Sequence, residues 1–318
     1  MSTRKRIGRT VMLAACCFAF AGPLMAADDT PPKSSVHLAF DKNAWTFTTS
    51  GGRAALEYCP VASPLKPYVK KLYTPGGVQV LRDSPFDHKH HHALMFALSA
   101  NDVIFWEETA GCGKQVPHED RASEDLLYGE VLSHCFTHTL DWVDAHGKKL
   151  LVEKRTVGLV LAPPQRVTLV TWSSELSPAE GLASVMLGGH HYYGLGMRFV
   201  TSMDTGGRFF ESSGKPGEVV HGSEQLVPAK WCAYTAKADG KPVTVAIFDR
   251  PSNPRHPNKM FTMTTPFAYL SATLNLWKEP LVLKAGEKLK LTYAVALWDG
   301  EVAAEQVESL YQKWVAMK

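Results

Sequence analysis

Residues 131–162, which read VLSHCFTHTLDWV, DAHGKK and LLVEKRTVGLVLA in succession, decide the fold class. The first arm alternates between two sets of side chains: Leu132, His134, Phe136, His138 and Leu140 on one parity, and Ser133, Cys135, Thr137 and Thr139 on the other. Alternation with period two places the two sets on opposite faces of a β-strand. The polar run DAHGKK between the arms predicts a turn, so the stretch predicts a long antiparallel hairpin.

The rest of the chain repeats this pattern on either side of the hairpin. Short β-prone runs are separated by Gly, Pro, Asn and Asp, among them VHLAF, AWTFTT, YVKKLYT, GMRFV, VTVAIFD and KLKLTYAVALWD. Apolar residues spaced by three and four recur only near the C-terminus, at Val307, Leu310, Tyr311 and Trp314, which predicts one amphipathic helix. We expect an all-β fold, a large antiparallel β-sandwich with a C-terminal helix, formed by residues 36–318 as one domain.

The N-terminus has the order of a secretory signal peptide. Four basic residues precede a mostly apolar stretch, small residues follow at Ala26 and Ala27, and the polar run DDTPPKSS comes next. We predict a signal peptide at residues 1–26, a disordered linker at 27–35 and a periplasmic or secreted mature protein. LAAC at residues 13–16 also resembles a lipoprotein cleavage site, but the apolar run before it is short. No other stretch is long enough to span a bilayer, so we expect no membrane span.

Removal of this leader changes the charge of the chain. The leader holds four of the 34 Lys and Arg residues and none of the 31 Asp and Glu residues, which leaves a net charge of −1. A protein that binds nucleic acid would show a basic surface, so we expect no nucleic-acid partner. Four cysteines remain, Cys59, Cys112, Cys135 and Cys232. In an exported protein they permit two disulfides in three connectivities, and buried free thiols are the alternative.

The strongest chemical signal is SPFDHKHHHALMF at residues 84–96, with four histidines and an aspartate in six positions. In an extended chain, His88, His90 and His92 would face one way. One histidine with a tuned pKa and a carboxylate partner such as Asp87 would suffice for acid–base chemistry. Alternatively, His88, His90 and His91 could bind a divalent metal ion, the one cofactor to consider, with a further ligand from Glu107, Glu108, His190, His191 or His256. A polar turn whose histidines satisfy backbone groups is the third interpretation.

Three further segments carry candidate residues. GGHHYYGLGMRF at residues 188–199 combines His190 and His191 with Tyr193 and Arg198, which suit a sugar or carboxylate pocket. FDRPSNPRHPNKMF at residues 248–261 is stiffened by three prolines and displays polar side chains at Asn253, Arg255 and His256. FWEE at residues 105–108 sets a carboxylate beside a tryptophan, where its pKa could be raised, and we favour Glu107 over Glu108. Each segment also fits an ordinary structural role.

The ordered motifs resemble those of the PmoA-like family of exported bacterial proteins. The resemblance covers roughly residues 50–300 and rests on the histidine segment, DVIFWEE, YYGLGMRF, VAIFDRPSNPRHP and LKAGEKLKLTYAVALWDG. It implies an exported β-sandwich of unassigned activity. The name comes from a subunit of methane monooxygenase, an integral membrane protein, and we do not expect that activity. The usual form of the cluster, Asp-His-Pro-His-His-Arg-Gly, matches at Asp87, His88, His90 and His91, whereas Lys89, His92 and Ala93 depart from it.

A weaker similarity connects GHHYYGL with the stretch that carries the acid histidine of aldose epimerases, built on the β-supersandwich of galactose mutarotase. It places His190 at that position. We therefore expect a carbohydrate-active protein that performs hydrolysis, elimination or epimerisation on a sugar or glycan. The residues expected to act on it are His88, His90, His91, His190 and Glu107, and those expected to bind it are Asp87, His191, Tyr193, Arg198, Asn253, Arg255 and His256. A metal-dependent enzyme and a non-catalytic glycan-binding protein are the alternatives.

Overall fold

Antiparallel strands run through the whole of the chain that can be described. The computed structural model describes residues 36–62, 64–128, 131–161 and 166–317. The signal peptide predicted at 1–26 and the linker predicted at 27–35 lie outside these residues.

The described residues form β-strands, one short 3-10 turn at Thr201–Met203 and one α-helix. The elements are β1 (Val36–Phe40), β2 (Trp45–Thr49), β3 (Ala54–Cys59), β4 (Tyr68–Leu72), β5 (Leu94–Ala97), β6 (Ser99–Ala100), β7 (Val103–Ile104), β8 (Lys114–Tyr128), β9 (Val131–Val143), β10 (Lys149–Val160), β11 (Thr168–Pro178), β12 (Ser184–Gly188), β13 (Gly194–Arg198), β14 (Arg208–Glu211), β15 (Glu218–His221), β16 (Glu224–Pro228), β17 (Trp231–Ala238), β18 (Lys241–Asp249), β19 (Lys259–Met263), β20 (Tyr269–Thr273), β21 (Leu281–Lys284), β22 (Leu289–Asp299) and α1 (Ala304–Ala316).

These strands pair into three antiparallel sheets within the described part of the chain. The order is β1-β2-β3-β4-β5-β13-β20-β19-β16-β15 in the ten-stranded sheet and β14-β17-β18-β22-β11-β10-β9-β8 in the eight-stranded sheet. A four-stranded sheet has the order β21-β12-β6-β7. The predicted all-β antiparallel architecture is confirmed.

The hairpin that decided the fold class forms as predicted. Strands β9 and β10 pair antiparallel, with Phe136 opposite Val157 and His138 opposite Arg155. The Asp144 carboxylate accepts hydrogen bonds from the backbone N–H groups of His146 and Lys148, both at 2.8 Å, and thereby closes the turn.

Side chains from the two large sheets meet in a shared core. Trp45 of β2 and Tyr58 of β3 each lie with their ring centroids 4.8 Å from that of Phe136 on β9. A fully buried ion pair joins the sheets as well, because Arg155 of β10 bonds Glu153 at 2.8 Å and also donates to the backbone oxygen of Pro67, 2.9 Å away. The fold is therefore a sandwich whose core contains charge.

The helix α1 packs on the other face of the eight-stranded sheet. It buries Val307, Leu310, Tyr311 and Trp314, which belong to the stripe that the spacing predicted. Tyr311 and Trp314 contact Phe248 of β18 with ring centroids 5.7 Å and 5.9 Å away. No helix in the described ranges is long and apolar enough to cross a membrane.

The four cysteines carry free thiols in the described structure. Cys59, Cys135 and Cys232 are buried, and Cys112 is half-buried. Of the two interpretations open from the sequence, the structure therefore has the buried free thiols rather than the disulfides.

Candidate functional site

The histidine segment is a pair of tight turns between β4 and β5. The backbone N–H of His88 donates to the Pro85 oxygen at 3.1 Å, and that of His91 donates to the His88 oxygen at 2.9 Å. Ala93 has a φ of +43°, a left-handed conformation that glycine adopts without strain. The expectation of an extended chain with His88, His90 and His92 on one side is wrong. The turns interrupt the extended backbone, so alternate residues no longer point the same way.

The turns bring together His88, His90 and His91 instead. The ring centroids of His88 and His91 lie 4.7 Å apart with an interplanar angle of 20°, so these rings stack. The His90 ring meets the other two nearly edge-on, at 5.8 Å from His88 and 4.6 Å from His91. His92 lies on the opposite side of the segment.

Neighbouring strands of the ten-stranded sheet supply the surface under these rings. In the register of the sheet, Met263 of β19 pairs with Tyr269 of β20, and Phe261 pairs with Leu226 of β16. Since alternate residues of a strand share a face, Phe261, Met263 and Tyr269 lie on the same side as Glu224. The sheet register therefore places a carboxylate beside an aromatic surface.

Together these groups line a cleft of about 380 Å³, the histidine cleft. Its lining residues are His88, His90, His91, Glu107, Tyr192, Glu224, Phe261, Met263, Pro266, Phe267 and Tyr269. Four of the residues expected from the sequence to act on a substrate, the three histidines and Glu107, are thus brought together. Glu224 was not among the residues expected from the sequence. Tyr193 was expected to bind substrate, but its neighbour Tyr192 lines the cleft.

The surroundings of the cleft shift the pKa values of three residues that line it. Burial, reinforced by the nearby His90 and His88, lowers the pKa of His91 to about 2. Burial and the Lys66 cation lower the pKa of His90 below its ordinary value. Burial raises the pKa of Tyr192 to about 12, and the carboxylates of Glu107 and Glu224 add to the rise. The cleft therefore contains neutral imidazoles and a protonated phenol.

Several buried polar atoms around the cleft have no hydrogen-bond partner among the described residues. They include Nδ1 of His91 and the hydroxyl of Tyr269, both from lining residues. Buried polar groups in folded proteins are nearly always hydrogen-bonded, so groups left without a protein partner mark a place where a ligand can provide one.

Asp87 and Arg198 lie behind the cleft and support it. The Asp87 carboxylate accepts hydrogen bonds from Nδ1 of His88 and from the Arg198 guanidinium, each at 3.2 Å. Burial would raise the pKa of Asp87, but these two partners outweigh it and lower the pKa. The guanidinium also lies 3.3 Å from the ring centroid of Phe267. Arg198 thus fixes one wall of the cleft and is not among the residues that line it.

His92 belongs to a buried ionic network on the side of the segment away from the cleft. Its Nδ1 lies 2.9 Å from Asp83 and its Nε2 lies 2.8 Å from Glu108, which also bonds Lys66 at 2.7 Å. Burial alone would lower the pKa of His92, but the hydrogen bonds to the two carboxylates raise it. Glu108 therefore has a structural role, whereas its neighbour Glu107 lines the cleft.

The residues predicted around His190 divide between two places. His191 bonds the Glu224 carboxylate through Nε2 at 2.9 Å and so supports a residue of the cleft. His190 stacks on Tyr192 with an interplanar angle of 13° but lines a separate, second cavity together with Tyr193. Tyr193 is buried and stacks on Trp106 with ring centroids 4.9 Å apart.

The proline-rich loop between β18 and β19 turns its polar side chains inward. The fully buried Asp249 accepts hydrogen bonds from Asn253 at 2.8 Å and from His256 at 2.7 Å. Arg255 donates to the backbone oxygen of Leu274 at 2.7 Å. Asn253, Arg255 and His256 were predicted to bind substrate, but they hold this loop in place and do not line the histidine cleft.

The arrangement of the histidines bears on the metal alternative as well. Among the described residues, no three His, Cys, Asp or Glu side chains are arranged so that they could hold one metal ion. His88, His90 and His91 are neighbours, but two of their rings stack in parallel instead of converging on a point. Metal binding there would require these rings to reorient.

Comparisons with known proteins give a family and two remote structural likenesses. The structure of the GH36 α-galactosidase AgaA from Geobacillus stearothermophilus aligns with a TM-score of 0.43 and 12% identity, over 84% of this chain and 41% of that one. The polysaccharide lyase BACCELL_00875 aligns with a TM-score of 0.37 and 10% identity, over 89% of this chain and 35% of that one. The chain thus spans less than half the length of either enzyme, and at these scores neither likeness carries an argument about activity.

A search of curated proteins gives no match. A family model matches residues 46–312, the span over which the motifs were recognised, although the match does not show the PmoA-like designation. The chain belongs to the family of unknown function DUF6807.

Proposed function

We propose that the protein is an exported carbohydrate-active protein and that a saccharide binds and reacts in the histidine cleft. The observation that carries this proposal is the convergence of three imidazoles, two carboxylates and a tyrosine over an aromatic surface. The predicted signal peptide supports export, and the motif resemblance to PmoA-like proteins, themselves exported, agrees with it.

The lining of the cleft suits the two kinds of surface that a sugar presents. The rings of Phe261, Phe267 and Tyr269 offer apolar faces to the C–H groups of a pyranose. The carboxylates of Glu107 and Glu224 accept hydrogen bonds from sugar hydroxyls. A mostly apolar pocket with a few convergent polar groups is the usual form of a small-molecule site.

The charge states define which chemistry the cleft supports best. Neutral His90 can accept a proton from the substrate, and the protonated phenol of Tyr192 can donate one. His88 is oriented by its hydrogen bond to Asp87, and buried His91 can bond a substrate hydroxyl through its unpartnered Nδ1. Proton abstraction by His90 from the anomeric hydroxyl, with a proton given by Tyr192 to the ring oxygen, is the first step of epimerisation at the anomeric carbon of a neutral sugar. Hydrolysis by Glu107 and Glu224 is the second candidate, because two carboxylates line the same cleft.

A panel of aryl glycosides and neutral oligosaccharides, followed by nitrophenol release and by NMR of the products, tests this proposal. Turnover by the wild type that is lost in His90→Ala and kept in Lys89→Ala would support it. Lys89 is a matched control, because it is exposed on the same turn and does not line the cleft. Unchanged turnover in His90→Ala would refute the assigned role of His90.

Two further measurements on the wild-type protein distinguish the metal-dependent enzyme and the non-catalytic glycan-binding protein from this proposal. A stoichiometric divalent ion that is removed by EDTA together with activity would favour a metal enzyme built on His88, His90 and His91. Metal analysis must use protein purified without a His-tag. Tight saccharide binding with no product would favour a non-catalytic glycan-binding protein.

A further inference from the structure

A second cavity lies next to the histidine cleft and shares a wall with it. It has a volume of about 250 Å³, and its lining includes Ser99, Asp102, His190, Tyr193 and Trp277. Tyr192 lines the cleft and Tyr193 lines the second cavity, and their ring centroids lie 5.2 Å apart. Only the thickness of adjacent side chains separates the two spaces.

Trp277 lies at this boundary. Its ring meets that of His191 edge-on at 5.5 Å, and His191 in turn bonds the Glu224 carboxylate of the cleft. The tryptophan is 38% exposed, which is unusual for so large an apolar side chain, although the Lys278 ammonium lies over its ring, 4.9 Å from the centroid. An exposed aromatic face beside a cleft provides a stacking surface for a further sugar ring.

The polar groups of the second cavity are held by rigid structure. Asp102 lies in the two-residue turn between β6 and β7, where Asn101 and Asp102 both have left-handed φ values of +46° and +64°. Asn101 anchors this turn, because its side-chain oxygen accepts a hydrogen bond from the backbone N–H of Met186 at 2.8 Å. Tyr193 is only 2% exposed, and its hydroxyl has no partner among the described residues. The cavity thus offers a carboxylate carried by an anchored turn and a phenol that needs a partner.

Among the described residues, no lysine or arginine lines either cavity, and Lys278, which lies over the Trp277 ring, is paired with Glu218 at 2.8 Å. The residues that line the two spaces do include Glu107, Glu224 and Asp102. Carboxylates and sulfates on sugars are usually bound by Arg or Lys, and three carboxylates would repel them. The lining therefore selects against uronic acids and sulfated sugars.

We infer that the site binds a neutral oligosaccharide of at least two rings, which extends from the histidine cleft past Trp277 into the second cavity. This inference rests on the proposed function and adds the class of substrate. The cleft alone is near the lower end of the range for ligand pockets, about 300–1,000 Å³, and the second cavity adds about two thirds as much again.

Calorimetric titration tests this inference. The ligands are xylo-oligosaccharides and cello-oligosaccharides of one to four sugar units, each series starting from its monosaccharide, and oligogalacturonides of the same lengths. For the wild type we expect affinity to rise at least tenfold from one unit to two or three in a neutral series, and no such rise for the acidic series. Asp102→Asn and Trp277→Ala should each reduce this rise to threefold or less. Val282→Ala is the control, because Val282 is 55% exposed on β21 and lines neither cavity.

The outcomes separate this inference from the proposed function. One outcome is that the wild type binds every length equally tightly and that Glu224→Gln abolishes this binding. It would overturn the second cavity as a subsite and leave the cleft as the sugar site. Tighter binding of oligogalacturonides than of neutral sugars would overturn the substrate class. The absence of binding to any saccharide would overturn both proposals.

Discussion

Replacing Arg155 with methionine would remove the cation from the centre of the sandwich. The Arg155 guanidinium is fully buried and donates to both oxygens of Glu153 at 2.8 Å, to Gln115 at 2.9 Å and to the backbone oxygen of Pro67 at 2.9 Å. It also lies 4.8 Å from the ring centroid of Trp172. Methionine fills much of this space but provides none of these donors.

The loss of stability in Arg155→Met follows from the buried Glu153 carboxylate that loses its cation. Glu153 is also fully buried, and in the variant its remaining hydrogen-bond donors among the residues that the structure describes would be Trp142, at 2.9 Å, and Ser174, at 2.6 Å. A buried charge that has lost its partner destabilises a protein by about 3–5 kcal/mol. In the double variant Glu153→Gln/Arg155→Met both charges of this pair are removed, so we expect a smaller loss than in Arg155→Met alone.

Urea unfolding followed by tryptophan fluorescence and circular dichroism measures these differences. Lys288→Met is the matched control, because Lys288 bonds Glu175 at 2.6 Å with 65% of its side chain exposed, and exposed pairs contribute about 0–1 kcal/mol. A loss below 1 kcal/mol for Arg155→Met, or a double variant less stable than the single one, would refute the reasoning.

Four shorter predictions follow. His138 is 2% exposed and burial lowers its pKa to about 3, so the unfolded chain takes up the proton first, and this residue alone lowers stability by about 3 kcal/mol from pH 6.5 to 4.5. Because His91 adds a loss over the same range, His138→Phe should reduce the fall and not remove it, as measured by urea midpoints from pH 7 to 4.5. Turnover should need neutral His90, so its acid limb should lie below pH 6.5, and a limb above pH 7 would contradict this. Gly194→Ala should fail to fold in expression trials, because a Cβ there would lie 2.0 Å from the Ala272 oxygen at a φ of +149°. His92 has a raised pKa, so its contribution to stability is present below about pH 6.5 and is lost as pH rises through that pKa. His92→Arg should keep this contribution at high pH, which would appear as an unchanged Tm from pH 6 to 9.

The amino-acid pattern predicts the hairpin strands and the helix well, because the spacing of apolar residues along the sequence matches the spacing of buried positions in each element. The hairpin arms and the stripe of α1 have clear periods of two and of three to four, and both elements form at those residues. The same alternation places Glu153 and Arg155 on the buried face of β10, although their charge alone suggests exposure. Their burial depends on partners from other strands, which no local pattern reveals.

The histidine cleft could be predicted only where its residues are close in sequence. The turns at residues 84–93 gather three histidines from one segment, whereas Glu224 reaches the cleft through the pairing of β16 with β19. That pairing is set far along the chain, and nothing near Glu224 marks it. The proline-rich loop shows the converse, because its polar residues bond Asp249, a buried carboxylate at the end of an otherwise apolar strand.

Three consecutive histidines, His90, His91 and His92, differ in the direction of their pKa shifts because they meet different environments. His92 lies between two carboxylates, which raise its pKa and favour the cation that holds the turn to the rest of the sheet. The PmoA-like pattern has arginine at this position, and an arginine would supply the same charge. His90 and His91 lie on the other side, where burial lowers their pKa values and keeps them neutral. The segment thus combines an anchor whose carboxylate partners favour the cation with a face that lines the cleft, and the sharp turns between them allow both within three residues.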